Sequence, residues 1–247
     1  MIRSLFLFII MLCFSFLGRS SHVLGGDITW TCQGGDFVFQ LVFYRDCNGA
    51  DVNSINANLD VWNHPSLSQL TLDFVSRTDV SPFCTEVPTG PAAFDCGSGG
   101  YAGNGVGAIE KVVYQSVPIT LNGTPPSEGW VFTYQNFSRS TSLTNIANPS
   151  TVGITLSAIM FAIPGGNGPC VDNSPQFLQD PHFVSCVGDF YEYNMNAIDP
   201  DLDSLAISFG TPFDHFPLAT SYNPPLEPAP ILFQTGFSAS SPTPSLA

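Results

Sequence analysis

The chain has 247 residues, of which 6 are basic and 20 are acidic, so its formal net charge is −14 at pH 7. A surface this acidic repels phosphate backbones, which argues against nucleic-acid binding. The 21 Phe, 21 Pro and 22 Gly are typical of many short strands joined by tight turns and argue against a helical protein.

The N-terminus has the three parts of a secretory signal peptide. Residues 1–4 (MIRS) are short and basic, residues 5–17 are almost unbroken apolar sequence, and residues 18–21 (GRSS) are small residues suited to cleavage. The apolar run is too short to span a bilayer comfortably, so a retained membrane anchor is the less favoured alternative. We therefore expect 1–21 to be removed, leaving a secreted or cell-surface protein without a membrane span.

Cysteines are the next signal, because an even number of them in an exported chain predicts disulfides. Those that follow the signal peptide are Cys32, Cys47, Cys84, Cys96, Cys170 and Cys186. The sequence cannot choose among the possible pairings. The simplest expectation joins neighbours along the chain, the first with the second, the third with the fourth and the fifth with the sixth. Zinc is the rival hypothesis, but there is no Cys-x-x-Cys pair and the histidines are scattered.

Apolar runs bounded by turn residues predict an all-β protein with no helix after the signal peptide. The predicted strands are 28–32, 37–44, 58–62, 70–75, 109–114, 117–121, 130–134 and 153–162. The first two should form a hairpin around residues 33–36 (QGGD), and apolar residues on both faces of the second indicate that both faces are covered. Residues 82–107 are expected to form a long irregular loop.

The densest Pro/Gly run, residues 164–169 (PGGNGP), marks a predicted domain boundary. We expect a β-sandwich domain over 22–168, a partial Ig/cadherin-like β-sandwich over 169–236 and a flexible tail over 237–247. The second unit contains too few strands to close a sandwich by itself. The chain is therefore expected to be part of a longer, multidomain protein.

Several short stretches, in this order along the chain, resemble one family. They are 21–30 (SHVLGGDITW), 43–49 (FYRDCNG), 63–67 (NHPSL), 78–82 (TDVSP), 144–149 (TNIANP), 172–177 (DNSPQF) and 197–205 (AIDPDLDSL). Together they resemble the N-terminal region of large Bacteroidota cell-surface proteins of the kind that often end in a gliding-motility-associated C-terminal domain. The resemblance implies an exported, multidomain, Ig-like or cadherin-like surface protein, sent out by the type IX route, and it supplies no biochemical activity.

Asp199, Asp201 and Asp203 are the sharpest site candidates, because three alternate carboxylates can converge on one cation where the chain turns at Pro200. The resemblance to cadherin-like linkers adds Asp172 and Asn173 as further calcium ligands. The alternative is a solvated acidic turn whose carboxylates cap backbone amides. The pattern lacks the glycine and the closing glutamate of an EF-hand loop.

No catalytic motif is visible: there is no Gly-x-Ser-x-Gly elbow, and the glycine cluster at 97–105 lacks the Gly-Lys-Ser/Thr of a phosphate-binding loop. Trp30, Trp62 and Trp130 are expected in the core, although exposed tryptophans on a sandwich can stack on sugars. The predicted function is therefore a non-enzymatic module for adhesion or a stalk, with calcium as a candidate stabiliser and a surface glycan or protein as partner. The alternative is a carbohydrate-binding module or a non-catalytic appendage of a polysaccharide-degrading enzyme.

Overall fold

The computed structural model describes residues 23–47, 49, 51–52, 54–81, 96, 108–137, 139–140, 143–163, 170, 172–181, 192, 194, 196–215 and 228–243. The predicted signal peptide, Cys84, Cys186 and the expected boundary at 164–169 lie outside these residues.

The protein is nearly all-β, as predicted. The strands are β1 (Val23–Gln33), β2 (Asp36–Asp46), β3 (Asn56–Trp62), β4 (Gln69–Asp79), β5 (Ile109–Gln115), β6 (Trp130–Asn136), β7 (Ile154–Met160), β8 (Gln176–Phe177) and β9 (Ala197–Ile198). Within the described ranges the only helical element is one 3-10 turn at Pro149–Thr151. No helix in this part of the chain has the length and apolar content needed to cross a bilayer.

β1 and β2 form the predicted hairpin, in which Gln33 pairs with Asp36 across a two-residue turn. Gly34 and Gly35 occupy the turn with φ values of 63° and 96°. Tight hairpin turns that match the strand twist require positive φ at both central positions, which glycine adopts without steric cost.

The predicted strand at 117–121 is wrong. This segment makes one isolated bridge, in which Phe37 and Ile119 exchange backbone hydrogen bonds of 2.9 Å. Pro118 has no backbone N–H, so the segment cannot donate at that position to continue a ladder.

Seven strands form one antiparallel sheet in the order β1-β2-β5-β4-β3-β6-β7. Three strands separate β2 from β6, yet the ring centroids of Phe39 and Phe132 are 4.6 Å apart, and those of Phe43 and Tyr134 are 5.7 Å apart. These distances require the sheet to curl over on itself, as in a sandwich or barrel, so that the inward side chains form one core.

The curled sheet brings β1 against β7. At Gly26 of β1, an added Cβ would overlap the backbone oxygen of Val42 in β2 and would lie 2.9 Å from Leu156 Cδ1 in β7. Glycine at this position therefore allows the close approach of both β2 and β7 to β1.

The expected pairing of neighbouring cysteines is wrong. The structure joins Cys32 to Cys170 and Cys47 to Cys96, with Cα–Cα distances of 5.6 and 5.4 Å. Cys32 lies opposite Phe37 in the hairpin, so Cys47 is ten residues further along β2, roughly 30 Å away at strand spacing. A disulfide needs Cα atoms within about 7 Å, so the hairpin itself prevents the pairing of Cys32 with Cys47.

The described residues of 169–236 contain two short strands, β8 and β9, which pair with each other. Other parts of this region contact β7 and the segment that precedes it: the Thr155 N–H donates to Phe213 O at 3.4 Å and the Ala147 N–H donates to Leu232 O at 2.9 Å. The division into two domains, and an Ig/cadherin-like second unit, stay predictions.

Candidate functional site

Residues 172–181, here called the covering segment, lie across the outer face of β1, β2 and β5. At its first end, the Cys32 N–H donates to Asn173 Oδ1 at 2.7 Å and the Trp30 N–H donates to Ser174 Oγ at 2.8 Å. The neighbouring Cys170 is disulfide-bonded to Cys32. The segment is thus attached covalently and by hydrogen bonds to the end of β1.

At its other end, the covering segment is held by a charge-assisted contact. Asp180 Oδ1 accepts a hydrogen bond of 2.7 Å from the Tyr44 hydroxyl and lies 2.7 Å from Lys111 Nζ. Lys111 and Asp180 are both partly exposed, so the ion pair contributes modestly to stability. Its effect is to fix the position of the segment over the sheet.

Three cavities, of about 340, 250 and 410 Å³, lie between the covering segment and the sheet. Asp27 of β1 and Phe177 of the covering segment line all three. These two residues therefore mark the place where the cavities meet.

The cavity of about 250 Å³, here called the polar cavity, is lined mainly by polar side chains that point away from the core. The alternation of β1 turns Ile28 and Trp30 inward and leaves Asp27 and Thr29 outside. The register then places Thr29 opposite Gln40 of β2, and Gln40 opposite Gln115 of β5. A row of polar groups thus runs across three strands.

Asp27 is the most perturbed acid near these cavities. Burial raises the pKa of Asp27 to about 6; Lys111 opposes this rise, and the Asp180 carboxylate adds to it. A carboxylic acid with such a pKa changes charge in the mildly acidic range. The Asp27 side chain in the floor of the cavities is therefore a neutral carboxylic acid at low pH and a charged carboxylate at higher pH.

A second buried polar group lies at the far end of β2. Arg45 is fully buried, and its Nη1 atom lies 2.7 Å from Glu110 Oε2 while Nη2 donates to Gly49 O at 3.0 Å. Arg77 Nε lies 3.4 Å from Glu110 Oε1 and Arg77 Nη2 lies 2.8 Å from Asp51. Burial raises the pKa of Glu110 in spite of these cations. The network links β2, β4 and β5 beneath the loops, and we assign it a structural role.

The five predicted calcium ligands come from two segments that the structure brings together. The Asn173 N–H donates to Asp201 Oδ2 at 2.6 Å, and Asn173 Nδ2 donates to both Asp201 oxygens at 3.0 Å. Asp199 Oδ1 accepts from the backbone N–H groups of Asp201 (2.8 Å) and Asp203 (3.4 Å). Burial, and then three neighbouring carboxylates of residues 199–203, raise the pKa of Asp172.

This arrangement matches the acidic turn that was the alternative to calcium. Asn173 directs its oxygen to Cys32 and its amide N–H groups to Asp201, so it faces the acidic cluster with donors instead of a calcium-binding oxygen. Among the described residues no group of three His, Cys, Asp or Glu side chains is placed to hold a metal ion. Calcium binding by Asp172, Asn173, Asp199, Asp201 and Asp203 stays a prediction.

The three tryptophans and His64 take part in packing or hydrogen bonds within the protein. Trp30 and Trp130 are 5% and 2% exposed, so neither offers the exposed sugar platform that was the alternative to core packing. Trp62 is half-buried and donates to Thr133 at 2.9 Å. The His64 ring packs on Trp130 with centroids 4.5 Å apart, its Nδ1 accepts backbone N–H groups of the next turn, and burial lowers its pKa.

The polar cavity could not be predicted from the sequence, because Asp27, Gln40 and Gln115 lie on three different strands and belong to no motif. One signal for it was present: Val38 and Val42 lie on the outer face of β2 and are 4% and 6% exposed. Their burial confirms that both faces of β2 are covered, which requires a segment such as 172–181 over the sheet.

Comparison of the chain with protein-family models, with curated proteins and with solved structures found no match. Membership of a Bacteroidota surface-protein family therefore stays a prediction from the sequence.

Proposed function

We propose that the chain is a non-enzymatic extracellular module that acts in adhesion or as a segment of a stalk. The observation that carries this proposal is the Cys32–Cys170 disulfide, which bridges 138 residues. Strands β2 to β7 all lie between these two cysteines. A pull on the two ends of the chain passes across the disulfide, so the chain between the two cysteines cannot be extended while the bond is intact.

The same cross-links support an oxidising compartment, where disulfides form and persist. The predicted signal peptide leads to that compartment, and the acidic surface favours solubility there. A protein displayed outside a cell has no chaperone system to refold it after mechanical extension. Covalent protection of the sheet therefore suits a part that holds a binding surface away from the cell.

Single-molecule pulling on the mature chain, attached at its two ends, tests the proposal. In the oxidised protein the residues between Cys32 and Cys170 should not contribute to the extended length. Reduction should add the contour length of those 138 residues, about 450–500 Å at about 3.3–3.6 Å per residue.

The second disulfide provides a matched control. Because Cys47 and Cys96 both lie inside the bridged region, replacing both with alanine should leave the extension of the oxidised protein unchanged. If the oxidised wild-type protein extends as far as the reduced one, the disulfide carries no load and the stalk proposal fails.

Calcium as a stabiliser has its own test. A chelator should lower the melting temperature by several degrees, and Asp201→Asn should remove that response while retaining the size of the side chain. An unchanged melting temperature would discard the calcium site and would leave the adhesion proposal standing.

A carbohydrate-binding module is the second candidate function, and the polar cavity is the observation that favours it. Non-catalytic sugar binding and adhesion are compatible, because a glycan on a neighbouring surface can be the adhesive ligand. Retention of the mature chain on an insoluble glycan, with no release of soluble sugar, is the expected result under this reading.

A further inference from the structure

The chemical groups of the polar cavity suit a ligand that both donates and accepts hydrogen bonds. Gln40 and Gln115 present carboxamides, each with an oxygen acceptor and N–H donors, and Thr29 and Thr31 present hydroxyls. Among the described residues, neither carboxamide has a hydrogen-bond partner of its own. A sugar hydroxyl acts as donor and acceptor together, so a row of carboxamides and hydroxyls can pair with several hydroxyls of one ring.

The charges around the cavity argue against an anionic ligand. Lys111 is the one cation in its lining, and its Nζ atom already lies 2.7 Å from Asp180. Asp27 contributes a carboxylate to the same lining, and Asp180, which is not part of the lining, contributes a second one beside Lys111. A phosphate, sulfate or uronate would meet this excess of negative charge, so a neutral ligand is favoured.

The size and one wall of the cavity also fit a sugar ring. Its volume of about 250 Å³ is below the ~300–1,000 Å³ typical of pockets for drug-sized ligands, which suits one small polar molecule. Phe177 contributes an aromatic side chain that is 49% exposed. One face of a pyranose ring carries mostly C–H groups, and an aromatic ring beside polar side chains provides an apolar surface for that face.

From these groups we infer that the polar cavity binds one neutral sugar residue of a glycan, with Gln40, Gln115 and Thr29 bonding its hydroxyls and Phe177 covering one face of its ring. This inference deepens the proposed function, on which it rests, by giving the adhesion module a ligand class and a site. An ammonium ligand is the main rival, because it also tolerates carboxylates. It can only donate hydrogen bonds, however, and would leave the carboxamide N–H groups without acceptors.

The test is ligand-observed NMR and calorimetry on the mature, oxidised chain. The probes are neutral methyl hexopyranosides, methyl pentopyranosides and N-acetylhexosaminides, each hexopyranoside matched with its uronate, together with methylammonium. At least one neutral glycoside should bind saturably, and its uronate should bind at least ten-fold more weakly. Gln40→Leu should weaken the neutral sugar at least ten-fold.

Gln69→Leu is the matched control, since Gln69 lies at the exposed start of β4 and away from the cavity. It should leave sugar affinity unchanged, and both variants should keep the wild-type melting temperature within a few degrees. The inference is overturned if no neutral glycoside binds, if uronates bind equally well, if only methylammonium saturates, or if the two variants behave alike. Pulling measurements do not involve Gln40, so the failure of sugar binding and the failure of the load-bearing proposal are separately visible.

Discussion

Removal of the Cys32–Cys170 disulfide should lower the stability of the protein by several kcal/mol. The perturbation is Cys32→Ala with Cys170→Ala. The bond closes 138 residues, and the inner Cys47–Cys96 bond still closes 49 of them, so 89 residues gain freedom in the unfolded chain. Loop-closure entropy for a segment of this length amounts to about 4.5 kcal/mol at 25 °C.

The assay is denaturant unfolding of the oxidised wild-type and variant proteins at pH 7, followed by tryptophan fluorescence, because Trp30 and Trp130 are in the core. The midpoint should fall by the amount that corresponds to about 4.5 kcal/mol. In a reducing buffer the wild-type protein loses the same constraint, so the two midpoints should then coincide.

A loss below about 1 kcal/mol in the oxidised proteins would refute the entropic reasoning. A difference that persists after full reduction would also refute it, because the effect would then come from packing of the sulfur atoms. Peptide mapping without reduction gives an independent check and should recover Cys32 bonded to Cys170.

Three further outcomes are expected. Gly26→Ala should destabilise the protein by about 2–3 kcal/mol through overpacking between β1 and its neighbours, whereas Gly25→Ala, whose Cβ would have no atom within 4 Å, should be near neutral; thermal unfolding of both variants checks this. The pKa of Asp27 is raised from 3.8 to about 6, so its favourable contribution is complete below pH 4 and is lost as the pH rises through 6. Asp27→Asn should therefore exceed wild type by about 3 kcal/mol at pH 8 and match it near pH 4, and equal midpoints at pH 8 would show that the carboxylate is not desolvated. Arg45→Met should cost about 3–5 kcal/mol at pH 7.5 by leaving Glu110 buried without its main partner, with partial recovery at low pH or on adding Glu110→Leu; no recovery would assign the loss to packing alone.

The strands could be predicted from the sequence because their signals are local. The alternation of Phe37, Phe39, Leu41 and Phe43 identifies β2, and the Gly34–Gly35 pair fixes its hairpin with β1. Most observed strands extend further than the predicted ones, since polar ends such as Arg45 continue the ladder where tertiary contacts cover them, whereas β7 is shorter than the predicted strand at 153–162.

The disulfide pairing and the polar cavity could not be predicted in this way, because both depend on contacts between distant segments. The choice of Cys170 as partner for Cys32 follows from residues 172–181 returning to the edge of β1, which no local pattern records. The hairpin register did contain enough information to exclude Cys47 as that partner. The acidic residues at 199–203 form a clear local pattern, but the pattern does not determine how they are arranged. Their surroundings depend on Asn173, whose oxygen accepts from Cys32 of β1 and whose amide N–H groups therefore face Asp201.

The two end strands of the curled sheet, β1 and β7, have backbone partners on their outer edges, and this affects whether copies of the protein associate at high concentration. An uncovered terminal strand would recruit the same strand of a neighbouring molecule and begin a polymer. Here the side of β1 away from β2 is bonded by Asn173 and Ser174 and bridged to Arg139, and β7 is bonded at Thr155 by Phe213. Pairing at these positions disfavours strand-to-strand association between copies of the protein.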